Sequence, residues 1–289
     1  MAVYWAFRLG SAVARAVPVR VSYAVAGFFG LLTFYAWAGG RKRCIRNMTH
    51  VIEGDEAHAR RLARASFANY AIYLVDFLRF TSVTAEEVRQ RVVFNEWDRL
   101  EAERSGNGIV FVTLHFGNWD LGAAAVAEHG IPISVIADTF GDPRLNDLVL
   151  RARRHLGMEI LAAERMGPSI LRALRRNDVV AMLIDVPQEG QGVPVKFFDG
   201  PIAVADGPAR IALRTGASVV AVMLPRIGRS ERVAGQIQPV RFTPSGDHEH
   251  DVRELTQATM HALEGMVRQH PDQWYIFRNL WVADRKGGN

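Results

Sequence analysis

A histidine and an aspartate stand five residues apart in the string His115-Phe116-Gly117-Asn118-Trp119-Asp120, directly after a short apolar run that reads as a strand. At neutral pH an uncharged imidazole is the usual base for drawing a proton from a hydroxyl. A carboxylate that accepts the other ring N–H fixes the tautomer and steadies the imidazolium, so Asp120 is the predicted partner of His115. Gly117 removes side-chain bulk where the chain must turn from strand to helix. Backbone N–H groups at the helix start near Asn118 are placed to stabilise a developing oxyanion, and Trp119 is a second residue facing a substrate there. A histidine at a strand end is satisfied structurally about as often as it is catalytic, so the pair by itself leaves both readings open.

The elements that must position these residues follow from periodicity. Apolar runs of strand length occur at 108–114, 132–137, 179–184, 218–224 and 235–241, and helical stretches at 118–128, 144–156, 168–176, 207–215 and 251–269 separate most of them. This alternation predicts an α/β fold with a central sheet flanked by helices on both faces. Ligands of open α/β sheets sit at the carboxyl ends of strands, which is where His115 and the linker at 185–192 fall. Upstream, Leu62, Phe67, Tyr70, Leu74, Phe77 and Leu78 recur at helical spacing against Arg60, Arg61 and Arg64, predicting one long amphipathic helix at 56–80 that serves as scaffold or membrane footing.

The N-terminus is the compositional outlier. Residues 21–38 carry no charge and end in Gly39, Gly40 and the cluster Arg41, Lys42, Arg43, while the stretch before them holds Arg8 and Arg15 among apolar residues and stops at Pro18. An 18-residue apolar run is at the lower edge for crossing a bilayer, so a short span and a helix lying in the interface both remain open. A secretory signal fits less well, because the run starts late and is closed by positive charge. If it spans, the basic residues after it hold the main body on the cytoplasmic side. A pair of ordinary core helices is the remaining alternative.

Net charge is +5 at pH 7, and only Lys42, Lys196 and Lys286 among the 35 basic residues are lysines. Arginine grips phosphate in a planar fork, and the basic balance favours an anionic surface such as phospholipid, although a codon bias explains the arginine excess equally well. Nucleic acid is not favoured, since no interleaved aromatic and basic stretch marks a stacking platform. Cys44 is the only cysteine, which excludes an internal disulfide and a thiolate metal site and fits a reducing cytosol. The chain has no G-x-S-x-G elbow, no nucleotide-binding glycine loop and no H-E-x-x-H, so a covalent acyl-serine, nucleotide chemistry and metal hydrolysis are disfavoured. His248-Glu249-His250 reads as a polar turn and not as a metal site.

Several blocks in order resemble the bacterial lipid A biosynthesis late acyltransferases, the lauroyl- and myristoyltransferase family that includes phosphatidylinositol mannoside acyltransferases. These are the His115 string, Asp142-Pro143-Arg144 with Arg153 before Gly157, Asp185 to Gly192 followed by Val193 to Phe198, Gly207-Pro208-Ala209 with Thr215-Gly216-Ala217, and His270-Pro271-Asp272-Gln273-Trp274 with Trp281. The match covers roughly 40–285. One departure is Asp199, which intervenes before Gly200 where the family usually has glycine directly. The compositional shift sets off an N-terminal membrane-associating helical segment at 1–43. The resemblance implies a glycerolipid-acyltransferase-like fold and makes 44–289 an acyltransferase domain. It implies transfer of a fatty acyl chain from acyl carrier protein or acyl-coenzyme A to a hydroxyl of a glycolipid at the cytoplasmic membrane, with no cofactor and no metal. His115 is then the base and Asp120 its partner, and Asp185 either a second active-site carboxylate or a residue orienting its loop. Arg144, Arg151 and Arg154 either hold phosphates of donor or acceptor or form a solvated face, and Gly207 lends backbone donors to an anion. Two other functions stay open: a lysophospholipid or glycerol-phosphate acyltransferase, and a non-catalytic lipid-binding protein of the same fold.

Overall fold

The computed structural model describes residues 2–137, 141–162, 166–186, 192–281 and 284. Residues 187–191 of the predicted linker lie outside the described residues. Four helices open the chain, α1 (Ala2–Ala16), α2 (Val19–Ala36), α3 (Ala38–Val51) and α4 (Glu56–Arg79). Pro18 separates the first two, because it lacks an N–H and disfavours helical geometry in the residue before it. α4 starts where the Asp55 side chain accepts the His58 amide. It is the spine of this layer: Ala59, Ala63 and Phe67 pack against Phe34 of α2 and Cys44 and Met48 of α3. α3 escapes the sequence reading because Gly39, Gly40 and three basic residues look like an ending. Gly40 belongs in it because the Trp37 ring lies across that position, 2.4 Å from where a Cβ would be.

The body follows as α5 (Ala85–Arg91), β1 (Val92–Val93), α6 (Trp97–Glu103), β2 (Ile109–Thr113), α7 (Trp119–Glu128), β3 (Ile133–Ala137), α8 (Pro143–His155), β4 (Glu159–Ala162), α9 (Met166–Arg175) and β5 (Val179–Leu183). Next come β6 (Val193–Phe197), β7 (Gly200–Val204), α10 (Gly207–Thr215), β8 (Ser218–Met223), β9 (Val233–Ala234), β10 (Gln236–Val240) and α11 (His248–Gln269). The main sheet has the order β10-β8-β2-β5-β3-β4, parallel except for β10 at one edge. Its centre, β2, is buried on both faces, as expected of a parallel sheet covered by helices. Ile109, Phe111, Val179 and Val220 pack toward α7. Val110, Val112, Val180 and Val219 pack toward α9, α10 and α11. This is the mixed α/β sheet flanked by helices that the alternation predicts.

Two differences from the sequence reading have local causes. β4 and the β6–β7 hairpin were not predicted: β4 opens on the charged Glu159, and the hairpin alternates exposed Pro194 and Lys196 with buried Val195 and Phe197. His248-Glu249-His250 is not a turn but the first turn of α11, capped by the Asp247 carboxylate, which accepts the His250 amide at 3.1 Å.

Candidate active site

β2 and β5 are parallel neighbours with Thr113 opposite Leu183, so the residues that follow them emerge side by side at the carboxyl end of the sheet. Those residues are His115 and Asp185. His115 Nδ1 lies 2.8 Å from Asp185 Oδ1, the His115 amide donates to Oδ2 at 2.9 Å, and Trp274 Nε1 donates to the same oxygen at 3.1 Å. Burial raises the Asp185 pKa, but the His115 ring and the hydrogen bonds from His115 and Trp274 outweigh it and hold the carboxyl below its ordinary 3.8. Three hydrogen bonds converge on the ionised form of Asp185 and favour it. Nδ1 then carries the ring hydrogen and Nε2 is the basic nitrogen. The side chain of His115 is 35% exposed and that of Asp185 1%, so a part-exposed imidazole is held by a buried carboxylate.

Asp120 is not the partner of His115, which corrects the expectation drawn from their spacing. Gly117 takes φ +59°, and a Cβ there would stand 1.9 Å from the Leu224 carbonyl oxygen, so the chain turns tightly and places Asp120 inside the first turn of α7. Its Oδ1 receives Arg153 Nε at 3.0 Å and its Oδ2 the Tyr73 hydroxyl at 3.0 Å. Tyr73 in turn packs on Trp119 at a tilt of 32°, with centroids 4.2 Å apart, and Trp119 meets the His115 ring edge-on at 5.3 Å. Asp120 thus ties α7 to α4 and α8 and supports the ring beside His115 without touching it.

Two of the amides at this helix start are also in use. Gly117 N–H donates to the Gln273 carbonyl and Asn118 N–H to the Leu224 carbonyl, at 2.9 and 3.0 Å. The Asn118 side chain caps α7 by accepting the Leu121 amide and donates to Asp76 at 3.0 Å, so Asn118 is structural. Among the predicted arginines, Arg144, Arg151 and Arg154 lie exposed on α8, and Arg151 pairs with Asp147. Arg153 is the one that turns inward. Gly207 opens α10 beside Asp206, which is ion-paired with Arg210.

A second buried cluster lies beneath this loop. Asp76 of α4 binds Arg91 at 3.0 Å, and it also engages Arg226, the Tyr23 hydroxyl and Asn118. Gln273 closes the arrangement by exchanging hydrogen bonds with the Arg226 backbone. A signal for it was present in the sequence, since a lone carboxylate in the apolar stretch 72–78 must find partners if it is buried. Tyr73 gave no signal, because it falls on the apolar spacing of its helix.

An apolar cavity lies between α7 and the sheet, on the face toward which Phe111 and Thr113 point. The alternation along β2 and β5 gives His115 and Asp185 that same parity. Trp119 and Thr113 line it at the His115 end, and Ala123, Ala125 and Ala181 leave it open, while the Leu224 side chain takes the space beside Gly122. The cavity approaches the carboxylate-anchored imidazole through Trp119, which lines it and meets the His115 ring edge-on.

Comparison with known proteins places the chain among acyltransferases. The family model described as bacterial lipid A biosynthesis acyltransferase matches residues 1–283. The chain is 28% identical over 290 residues to a phosphatidylinositol mannoside acyltransferase of Mycobacterium tuberculosis, covering 97% of this chain and 89% of that protein. It is 27% identical over 285 residues to the protein of the same name from Mycolicibacterium smegmatis, covering 96% and 91%.

Proposed function

Because the chain belongs to the bacterial lipid A biosynthesis acyltransferase family and is an acyltransferase, we propose that it moves a fatty acyl group from a thioester donor to a hydroxyl of a glycolipid, with His115 as base and Asp185 as its anchor. The donor is acyl-coenzyme A or acyl carrier protein, and the acceptor is of the phosphatidylinositol mannoside or lipid A precursor type. The fold is read as glycerolipid-acyltransferase-like, with residues 44–289 carrying the chemistry and no cofactor required. The observation that carries this reading is the 2.8 Å contact between the His115 ring and a buried carboxylate, beside an apolar cavity, the slot between α7 and the sheet, that Trp119 connects to that ring.

In the proposed reaction the acceptor oxygen attacks the thioester carbonyl carbon as His115 Nε2 takes its proton. The C–S bond breaks, and the leaving sulfur recovers the proton from the imidazolium. Asp185 keeps Nδ1–H in place and stabilises the charged ring in between. The acyl chain lies in the slot against Phe111 and α7.

The test is incubation of the full chain with coenzyme A and carrier-protein thioesters and a panel of acceptors, read by mass spectrometry. The expected result is one acyl mass added to a phosphorylated glycolipid. Acylation of a lysophospholipid alone would move the assignment to the glycerol-phosphate branch, and no acylation of any acceptor would end it.

We also propose that residues 1–43 lie in the membrane interface and do not cross it. α2 is long and apolar enough to span by composition. Its inner face is committed, however: Tyr23, Gly30 and Phe34 are buried, and a Cβ on Gly30 would sit 2.5 Å from the Phe67 carbonyl of α4. Val25, Phe28, Phe29 and Leu32 are exposed on the outer face, as are Trp5 and Leu9 of α1. One apolar surface of this kind suits insertion parallel to a bilayer. Phe28→Asp with Phe29→Asp is expected to abolish flotation with anionic phospholipid vesicles, while the wild-type chain floats and is released at alkaline pH. Retention of the wild type through alkaline extraction would show a span instead.

A further inference from the structure

The slot has two ends, and its geometry identifies what stops it. α7 runs along its length. Trp119 at the start of that helix touches the His115 ring, and His129, which caps its other end, stacks on Trp97 with centroids 3.9 Å apart and planes within 8°. Ten residues of helix separate those two contacts, about 15 Å. Between them the wall is built from small residues, Gly122, Ala123 and Ala125 from α7 and Ala181 from β5. At the far end bulk returns with Trp97, Leu100, Val126 and Ile133.

Trp97 differs from the other three. Leu100, Val126 and Ile133 belong to the buried core, whereas Trp97 is half-buried and only the exposed His129 ring lies stacked on it. On its other side Phe94 meets it edge-on at 4.6 Å and 89°. Phe94 cannot retreat, because it presses on the backbone at Gly235, where a Cβ would lie 2.8 Å from its ring. The indole is thus held between two rings, with the slot on one side and solvent near the other.

We propose that Trp97 is the floor of the acyl slot and sets the longest chain the enzyme accepts. This rests on the reading of the slot as the acyl site. Each methylene that fits inside gains burial, worth about four-fold in kcat/KM at the usual transfer value. The first methylene beyond the floor must displace an indole fixed by Phe94 and His129, so the rate falls where the space ends. Without the indole the floor opens toward His129, and longer chains run out into solvent with neither gain nor clash.

The experiment measures kcat/KM on a phosphatidylinositol mannoside acceptor with an even-numbered acyl series from eight to twenty carbons, using whichever thioester the wild type accepts. Wild type is expected to rise by about 15-fold per two carbons to an optimum and then drop steeply. Trp97→Ala is expected to keep the rise and lose the drop, and Trp97→Phe, a smaller floor that preserves the stack, to shift it by one step. Ala123→Leu, which fills the slot nearer His115, is expected to move the optimum to shorter chains. An unchanged upper limit in folded Trp97→Ala and Trp97→Phe, with Ala123→Leu still shifting the optimum, would keep the slot and overturn the floor. No shift in any of the three, with transfer intact, would show that the acyl chain lies elsewhere.

Discussion

His115→Ala is expected to remove transfer while leaving the protein folded, with kcat lower by about 10²–10⁴-fold, the range general bases supply. Asp185→Asn is expected to follow at about 10²-fold or more. An amide oxygen still accepts the His115 amide and the Trp274 indole, but it no longer balances an imidazolium 2.8 Å away. Asp120→Asn should behave differently, because the partners of Asp120 are Arg153 and Tyr73 and not the imidazole. Its main effect is a lower melting temperature, since the Arg153 guanidinium is left largely buried without its counter-charge. Kinetics and melting measured on all three variants separate the roles. An Asp120→Asn enzyme that melts like wild type yet loses as much kcat as Asp185→Asn would return the relay to Asp120 and sink the assignment.

The spacing of His115 and Asp120 made their pairing look local, and the reason it is not local lies in the turn between them. A strand-to-helix turn needs a cap and a left-handed residue, and Asn118 and Gly117 supply these. The cost is that the helix then carries Asp120 away toward α4 and α8. The true partner comes from 70 residues along the chain, through strand pairing that no local pattern encodes. The sheet itself was legible because β2, β5 and β8 are uninterrupted apolar runs bounded by polar residues. β4 and the hairpin were not, since their polar positions break that pattern. Arg153 stood out only within a family-like block, and its neighbours Arg144, Arg151 and Arg154 had the same chemistry to offer. Which face of α8 turns inward decides among them, and here that face is set by buried Leu145, Val149 and Ala152.

Asp76→Ala is expected to be the most destabilising single change, by about 3–5 kcal/mol, the cost of breaking a buried ion pair from one side. Two guanidiniums, those of Arg91 and Arg226, share this carboxylate, and both it and they are nearly excluded from solvent. Removing it leaves two like charges buried together and takes an acceptor from Tyr23 and Asn118. At the usual sensitivity for a chain of this size the melting temperature should fall by on the order of 10 °C. Arg226→Met alone also unbalances the cluster, but in the Asp76→Ala background it removes one of the stranded charges. The double variant is therefore expected to be more stable than the sum of the singles by more than about 1 kcal/mol. Strict additivity in urea titrations would mean that the charges do not sense each other. Because Asn118 caps α7 directly behind His115, and Tyr23 belongs to the helix proposed to lie in the interface, the same carboxylate joins the N-terminal helical layer to the turn that carries His115. Asp76→Asn keeps an acceptor but drops the charge, so it should retain the capping contact to Asn118 and lose less kcat than stability.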